Sequence, residues 1–252
     1  MGLLGYIGGV MSLFAFSFQE ILAGKKKAGS RLIDQIIIKQ IFFTGYNALS
    51  AIGIIALALG FIIIIQMVNI ASMIGTSDMI GKVLITVIVR ELGPVLTAII
   101  LIGRSGTAIA TEIGNMMASD EFDALESIGI DPLRYIVYPR IVGMIVSLMC
   151  LVIFFDIIGL LGGYLAAYMF GMNMPFVDYI NNIFSAMSPV DLLVVLLKTF
   201  TMGGAIAVMS VMEGFKVGRA ARMVPVAASR AVVSSLIAVF IMDGLITVFS
   251  YI

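Results

Sequence analysis

Histidine is absent from this 252-residue sequence, cysteine occurs once, and charged side chains make up only 12% of it. The lone cysteine, Cys150, lies in an apolar run, so no disulfide framework forms within one chain. Without histidine there are too few ligands for a zinc or haem site, and none is expected. The same absence removes every Ser–His dyad. Gly103-Arg104-Ser105-Gly106 has the look of a buried serine-hydrolase motif, but nothing of the usual kind activates its serine. A Ser105–Lys198 pairing fails on depth, since the two fall near opposite ends of their apolar runs. Gly75 to Lys82 has a superficial likeness to a phosphate loop, yet its glycines are spaced one residue too far apart and Val83 stands where Ser or Thr is needed. No catalytic residue is expected. Formal net charge is zero, so nothing points to nucleic acid. A cleavable leader is not expected either, because Lys25, Lys26 and Lys27 follow the first apolar stretch, Leu3 to Phe18, instead of preceding it.

What is present is apolar surface. Hydrophobic residues make up 61% of the chain and mean hydropathy is +1.15, whereas a soluble domain is nearer half apolar and about a quarter charged. Water-soluble packing cannot hide that much, so lipid is the solvent. Five runs reach the roughly 20 residues that a span requires: Ala48–Ala71, Val83–Ala110, Ile136–Met169, Val190–Met212 and Ala231–Ile252. Ahead of them, residues 1–43 hold two interfacial segments, Leu3–Ile21 and the mixed stretch Arg31–Phe43. The expectation is one all-α, multi-pass membrane domain whose 18 methionines are ordinary apolar filler. Of the 15 basic residues, 12 fall before the first run, between the second and third or near their facing ends, or between the fourth and fifth. By the positive-inside rule the N-terminus is cytoplasmic and, after five spans, the C-terminus is outside.

The loop 112–132 reads as a short helix. Ser119 is placed to cap it, and Asp120 and Glu121 then sit at its positive end. Phe122, Leu125 and Ile128 recur every third residue as one apolar stripe, and Gly129 and Pro132 end it. Two to three turns are too few for stability in isolation, so the helix docks on something. Asp120, Glu121, Asp123 and Glu126 give it four acids and no base. Anionic lipid repels such a face, and a protein groove is favoured over the membrane surface or the chain's own bundle.

Ionisable residues inside apolar runs are costly, at least ~2.5–3.5 kcal/mol each at mid-membrane. Five occur away from the run ends: Arg90, Glu91, Asp156, Lys198 and Asp243. Arg90, Lys198 and Asp243 lie eight or nine residues from the outer ends of their runs, roughly 12–14 Å deep at 1.5 Å per residue. With Glu91 they make a layer of two positive and two negative charges, Asp156 lying deeper. One pairing is Glu91 with Lys198 and Arg90 with Asp243. Pro94 has no amide hydrogen, so the carbonyl of Arg90 loses its helical partner and must bond elsewhere or meet water. The layer either holds the bundle together or borders a lipid pathway, with Leu96, Ile99, Ile100 and Ile102 as apolar walls. Gly159-x-x-x-Gly163, followed by Ala166 and Ala167, is a packing notch for another helix.

Arg90-Glu91-Leu92-Gly93-Pro94, Gly103-Arg104-Ser105-Gly106, Glu112-Ile113-Gly114, Asp123-Ala124-Leu125, Ile128-Gly129-Ile130-Asp131-Pro132 and Pro139-Arg140 together resemble the MlaE (YrbE) family of lipid-transport permeases. The resemblance implies a bacterial inner-membrane permease that moves phospholipid or a similar lipid. It further implies a homodimer, a separate cytoplasmic ABC ATPase that binds the ATP, an outer MCE-domain lipid-binding protein, and room for a small cytoplasmic accessory protein. Residues 112–132 would supply the coupling helix, through Ser119 to Asp123, Leu125 and Glu126. The sequence departs from that family at Ala220–Arg230, where Pro225 and the alanines stiffen a loop that is elsewhere glycine-rich. Two alternatives stand beside this reading: a non-transporting scaffold for a lipid-binding partner, and an ion-coupled carrier that needs no nucleotide.

Overall fold

A computed structural model describes residues 30–74, 79–170 and 175–251, and every regular element among them is helical. Five helices are long and apolar enough to cross a membrane: Ile33–Met67, Gly81–Ala118, Leu133–Met169, Pro189–Phe215 and Ala221–Ser250. They coincide with the five expected runs, mostly with longer ends, since a helix continues into polar residues for as long as its backbone bonds are satisfied. The expected interfacial segment Leu3–Ile21 lies outside the described residues.

Helix α1 (Ser30–Gly45) passes through a 3-10 turn, Tyr46–Ala48, into α2 (Leu49–Ile74). The stretch expected as a surface helix therefore leads directly into the first span. It lies so close to the third span that a Cβ on Gly143 would stand 2.5 Å from Cγ of Gln40. The second span is a composite of α3 (Met79–Leu84), a π-helical stretch Ile85–Leu92, α4 (Gly93–Leu101), a second π stretch Ile102–Gly106, and α5 (Thr107–Ala118). The first π stretch abuts Gly93-Pro94, and the amide of Gly93 reaches back five residues to the carbonyl of Ile88. A widened turn is how this helix absorbs a proline.

The short helix α6 (Glu121–Ser127) follows, and a π stretch, Leu133–Val137, opens the third span, whose body is α7 (Tyr138–Met169). This is the central helix of the bundle, packed against α1, α2 and the fourth span. Its glycine notch receives the first span. A Cβ on Gly60 would overlap the carbonyl oxygen of Gly159, and one on Gly162 would stand 2.6 Å from the carbonyl oxygen of Leu57. Backbone meets backbone there because no side chain intervenes.

Beyond the third span the chain forms α8 (Phe176–Ala186), a helix within the connection between the third and fourth expected runs. Its buried Tyr179 donates to the carbonyl of Leu160 at 2.9 Å, and burial raises the phenol's pKa so that it stays a donor. The fourth span, α9 (Pro189–Phe215), starts with a capping box between Ser188 and Asp191. The fifth, α10 (Val224–Tyr251), starts well before the expected Ala231. Pro225 falls in its first turn, where a missing amide leaves no carbonyl unpaired. Most of Ala220–Arg230 is therefore helix, which corrects the expectation of a stiffened loop. Ile237, Phe240, Ile241, Leu245 and Val248 are exposed along α10, as suits a helix solvated by lipid.

Candidate functional site

The four charges expected in one layer do meet, and the tertiary structure adds three groups to them. Lys198, in the middle of α9, is 0% exposed. Its ammonium donates to Glu91 Oε2 at 2.7 Å and to the carbonyl oxygen of Arg90 at 3.1 Å, and it pairs with Asp243 Oδ1 at 2.9 Å. The carbonyl orphaned by Pro94 thus finds its donor in a lysine from another span. An ammonium offers three protons, and three oxygens surround this one. The pairing of Arg90 with Asp243 is not the one formed. Arg90 Nη1 instead pairs with Asp191 Oδ1 at 3.1 Å, and Nη2 donates to the hydroxyl of Ser250. Thr247 completes the group by donating to Glu91 at 3.3 Å.

Among the described residues two cations and three carboxylates meet here, an excess of one negative charge if all are ionised. Glu91 is its most open member, with a side chain 30% exposed. Sequence reasoning left out Asp191, Thr247 and Ser250, although each had a signal. Ser188-Pro189-Val190-Asp191 is a capping-box pattern, and Asp191 Oδ2 accepts the Ser188 amide at 2.9 Å while its other oxygen holds Arg90. Asp243, Thr247 and Ser250 stand at i, i+4 and i+7, one face of a helix. Of the expected walls, Leu96 and Ile100 pack against the core, Ile99 is half-buried and Ile102 is buried, as is Pro94. Asp156 stands apart from the layer. Its Oδ1 lies 2.5 Å from where a Cβ on Gly93 would be, and that oxygen has no hydrogen-bond partner among the described residues.

Helix α6 is the second candidate region. Ser119 does not cap it. The hydroxyl donates back to the carbonyl of Asn115 at 2.9 Å, and Ser119 terminates α5. Asp120 is the N-cap residue and holds a left-handed conformation, φ +54°, which Asp tolerates better than most residues. Its carboxylate takes Arg219 Nε at 2.8 Å, and Arg219 also reaches Asp123 at 3.5 Å. These carboxylates raise the pKa of the guanidinium further, Asp120 contributing most. A base from the fourth-to-fifth connection therefore serves the helix that has none of its own.

Phe122 is buried against Phe215 at the end of α9, the rings edge to face with centroids 5.3 Å apart. The expected stripe is thus divided: Phe122 fixes α6 to its own bundle, Leu125 is half-buried, and Ile128 is 69% exposed. Glu121 and Glu126 are exposed. Beside the open part lies a groove of about 530 Å3, lined by Met116, Leu125, Ile128, Tyr135 and others. A second groove, of about 470 Å3, lies between α9 and α10 near Arg230. Neither reaches the charge layer, whose side chains close on one another.

A helical bundle with charges paired inside its spans, and a short helix docked at one end, is the architecture of a multi-pass membrane permease. The family described as Permease MlaE matches residues 37–249, and the chain belongs to that family. It is 33% identical over 239 residues to a probable ABC transporter permease protein of Rickettsia prowazekii, covering 95% of this chain and 90% of the relative. It is 30% identical over 217 residues to the chloroplast protein Trigalactosyldiacylglycerol 1 of Arabidopsis thaliana, covering 85% of this chain and 61% of that protein. The permease protein MlaE of the Haemophilus influenzae intermembrane phospholipid transport system is 33% identical over 128 residues, 51% of this chain and 49% of the relative.

Proposed function

We propose that this chain is the permease subunit of an ATP-driven transporter that moves phospholipid, or a similar lipid, between a bacterial inner membrane and an outer MCE-type lipid carrier. It works as a homodimer with a separate cytoplasmic ABC ATPase, and a small cytoplasmic accessory protein completes the set of expected partners. ATP is bound by the ATPase and not by this chain. The observation that carries the reading is membership of the permease family together with the Haemophilus relative, whose name specifies phospholipid transport. The basic end of the bundle faces the cytoplasm by the positive-inside rule.

The geometry supports a route for coupling. The ATPase engages the open side of α6, at Glu121, Leu125, Glu126 and the groove beside them. Motion of α6 passes through Phe122 to Phe215, and through Arg219 to the following connection. Phe215 and Lys198 belong to one unbroken helix, with roughly 25 Å between them at 1.5 Å per residue. Displacing one end of α9 therefore moves Lys198 against Glu91, Asp243 and the π stretch. The layer holds the second, fourth and fifth spans together while Glu91 stays open at its edge.

The test is ATP-dependent lipid transfer from proteoliposomes holding the permease, its ATPase and its MCE-type partner. Transfer should require ATP and all three proteins. Transfer that persists without the permease, or that an ion gradient drives without nucleotide, refutes the proposal.

A further inference from the structure

The groove between the basic ends of α9 and α10 has no part in the route just described. It encloses about 470 Å3, and its lining includes Glu213 from α9, Lys216 at the C-terminal cap of that helix, and Ser229, Arg230, Val233 and Ile237 from α10. Lys216 Nζ stands 2.5 Å from Glu213 Oε1, so that pair brings no net charge. Arg230 is exposed, and its guanidinium makes no ion pair or hydrogen bond among the described residues. Among the described residues the groove thus carries one net positive charge, with Ser229 beside it.

Its other half is apolar. Val233, Ile237 and Ile241 follow Arg230 along one face of α10, and all three are exposed. Arg230 immediately precedes Ala231, where the apolar run of the fifth span begins. A guanidinium at the edge of the hydrocarbon, above an apolar rail that descends into it, matches a single amphipathic ligand. A guanidinium binds phosphate through paired N–H donors. The rail suits an acyl chain, which a free anion lacks, and a zwitterionic lipid, whose own ammonium neutralises its phosphate, answers the cation more weakly.

We propose that this groove binds an anionic phospholipid of the leaflet at the basic end, its phosphate on Arg230 and one acyl chain along Val233, Ile237 and Ile241. It is a lipid station at the opposite end of the bundle from the charge layer. The station deepens the lipid-transport reading and rests on it only for the fate of the bound lipid.

The chain contains no tryptophan, so Ile237→Trp supplies a unique fluorophore beside the groove. The permease, in complex with its partners made without tryptophan, is placed in vesicles of phosphatidylglycerol and phosphatidylcholine. Either lipid in turn carries brominated chains, and quenching gives their relative affinity at position 237. One basic contact at a membrane surface should favour phosphatidylglycerol by about fivefold. Arg230→Gln should bring the ratio to about one, and Arg230→Lys should keep most of it. Val248→Trp, at the far end of α10, should show no preference.

Thermal unfolding of each variant, expected to match its parent because Arg230 is exposed, separates loss of the site from loss of the fold. A ratio unchanged by Arg230→Gln overturns the proposal. Absence of quenching by both lipids does so too, because protein then covers the groove, and so does abolition of the preference by inorganic phosphate, which marks a free-anion site. ATP-driven transfer that fails while the preference persists refutes transport alone. A missing preference in an active transporter refutes only the station.

Discussion

Replacing Lys198 with Met removes the one cation that three oxygens share. Glu91 and Asp243 then face each other without it, and the Arg90 carbonyl is orphaned a second time. Removing one partner of a buried ion pair costs about 3–5 kcal/mol. Glu91 is 30% exposed and Asp243 16%, so water screens part of the exposed loss and the lower end, about 3 kcal/mol, is expected. Equilibrium unfolding in mixed micelles reads this directly. Adding Glu91→Gln and Asp243→Asn removes the stranded charges and should recover most of the loss, leaving about 1 kcal/mol for the unpaired carbonyl. A Lys198→Met protein within about 1 kcal/mol of the parent would refute the clamp, since a cation that holds Glu91, Asp243 and the Arg90 carbonyl together cannot be removed with so small a loss. Transport by the triple variant separates two roles. Full ATP-dependent transfer would make the layer purely architectural, whereas restored stability without transfer would put it on the lipid pathway.

Gly60→Ala places a methyl group on the carbonyl of Gly159 and should destabilise by about 1–3 kcal/mol; a neutral result in the same unfolding assay would mean the first and third spans separate freely. Phe122→Ala and Phe215→Ala should couple by about 0.5–1.5 kcal/mol in a double-mutant cycle, and both should lower lipid-stimulated ATP hydrolysis. Strict additivity would show that the ring contact transmits nothing. In a Cys150→Ser background, a cysteine at Arg222 should label only from the cytoplasm and one appended after Ile252 only from outside. Labelling of both from one side would refute the fifth crossing.

Much of the site could be read in the chain because charge inside an apolar run is conspicuous. Arg90, Glu91, Lys198 and Asp243 announce themselves by their cost, and Pro94 identifies which carbonyl needs a new donor. Asp191 was harder to see because it sits at a helix start, where an acid already has a local reason to be. Phe122 looked outward for a related reason. The stripe Phe122, Leu125 and Ile128 has the same spacing whether it meets a partner or its own bundle, and only Phe215 decides which.

The sequence by itself determined that the chain lives in lipid, how many times it crosses, and that its buried charges must answer one another. Those properties follow from composition, run length and hydration cost, and they do not depend on which helix neighbours which. The tertiary structure alone decided the partners: Lys198 shared between Glu91 and Asp243, Arg90 turned to Asp191, Gly60 seated on Gly159, and Arg219 brought across to Asp120. Periodicity fixes the face on which a residue lies. What that face meets depends on how closely two backbones approach, and this is set jointly by glycines far apart in the chain.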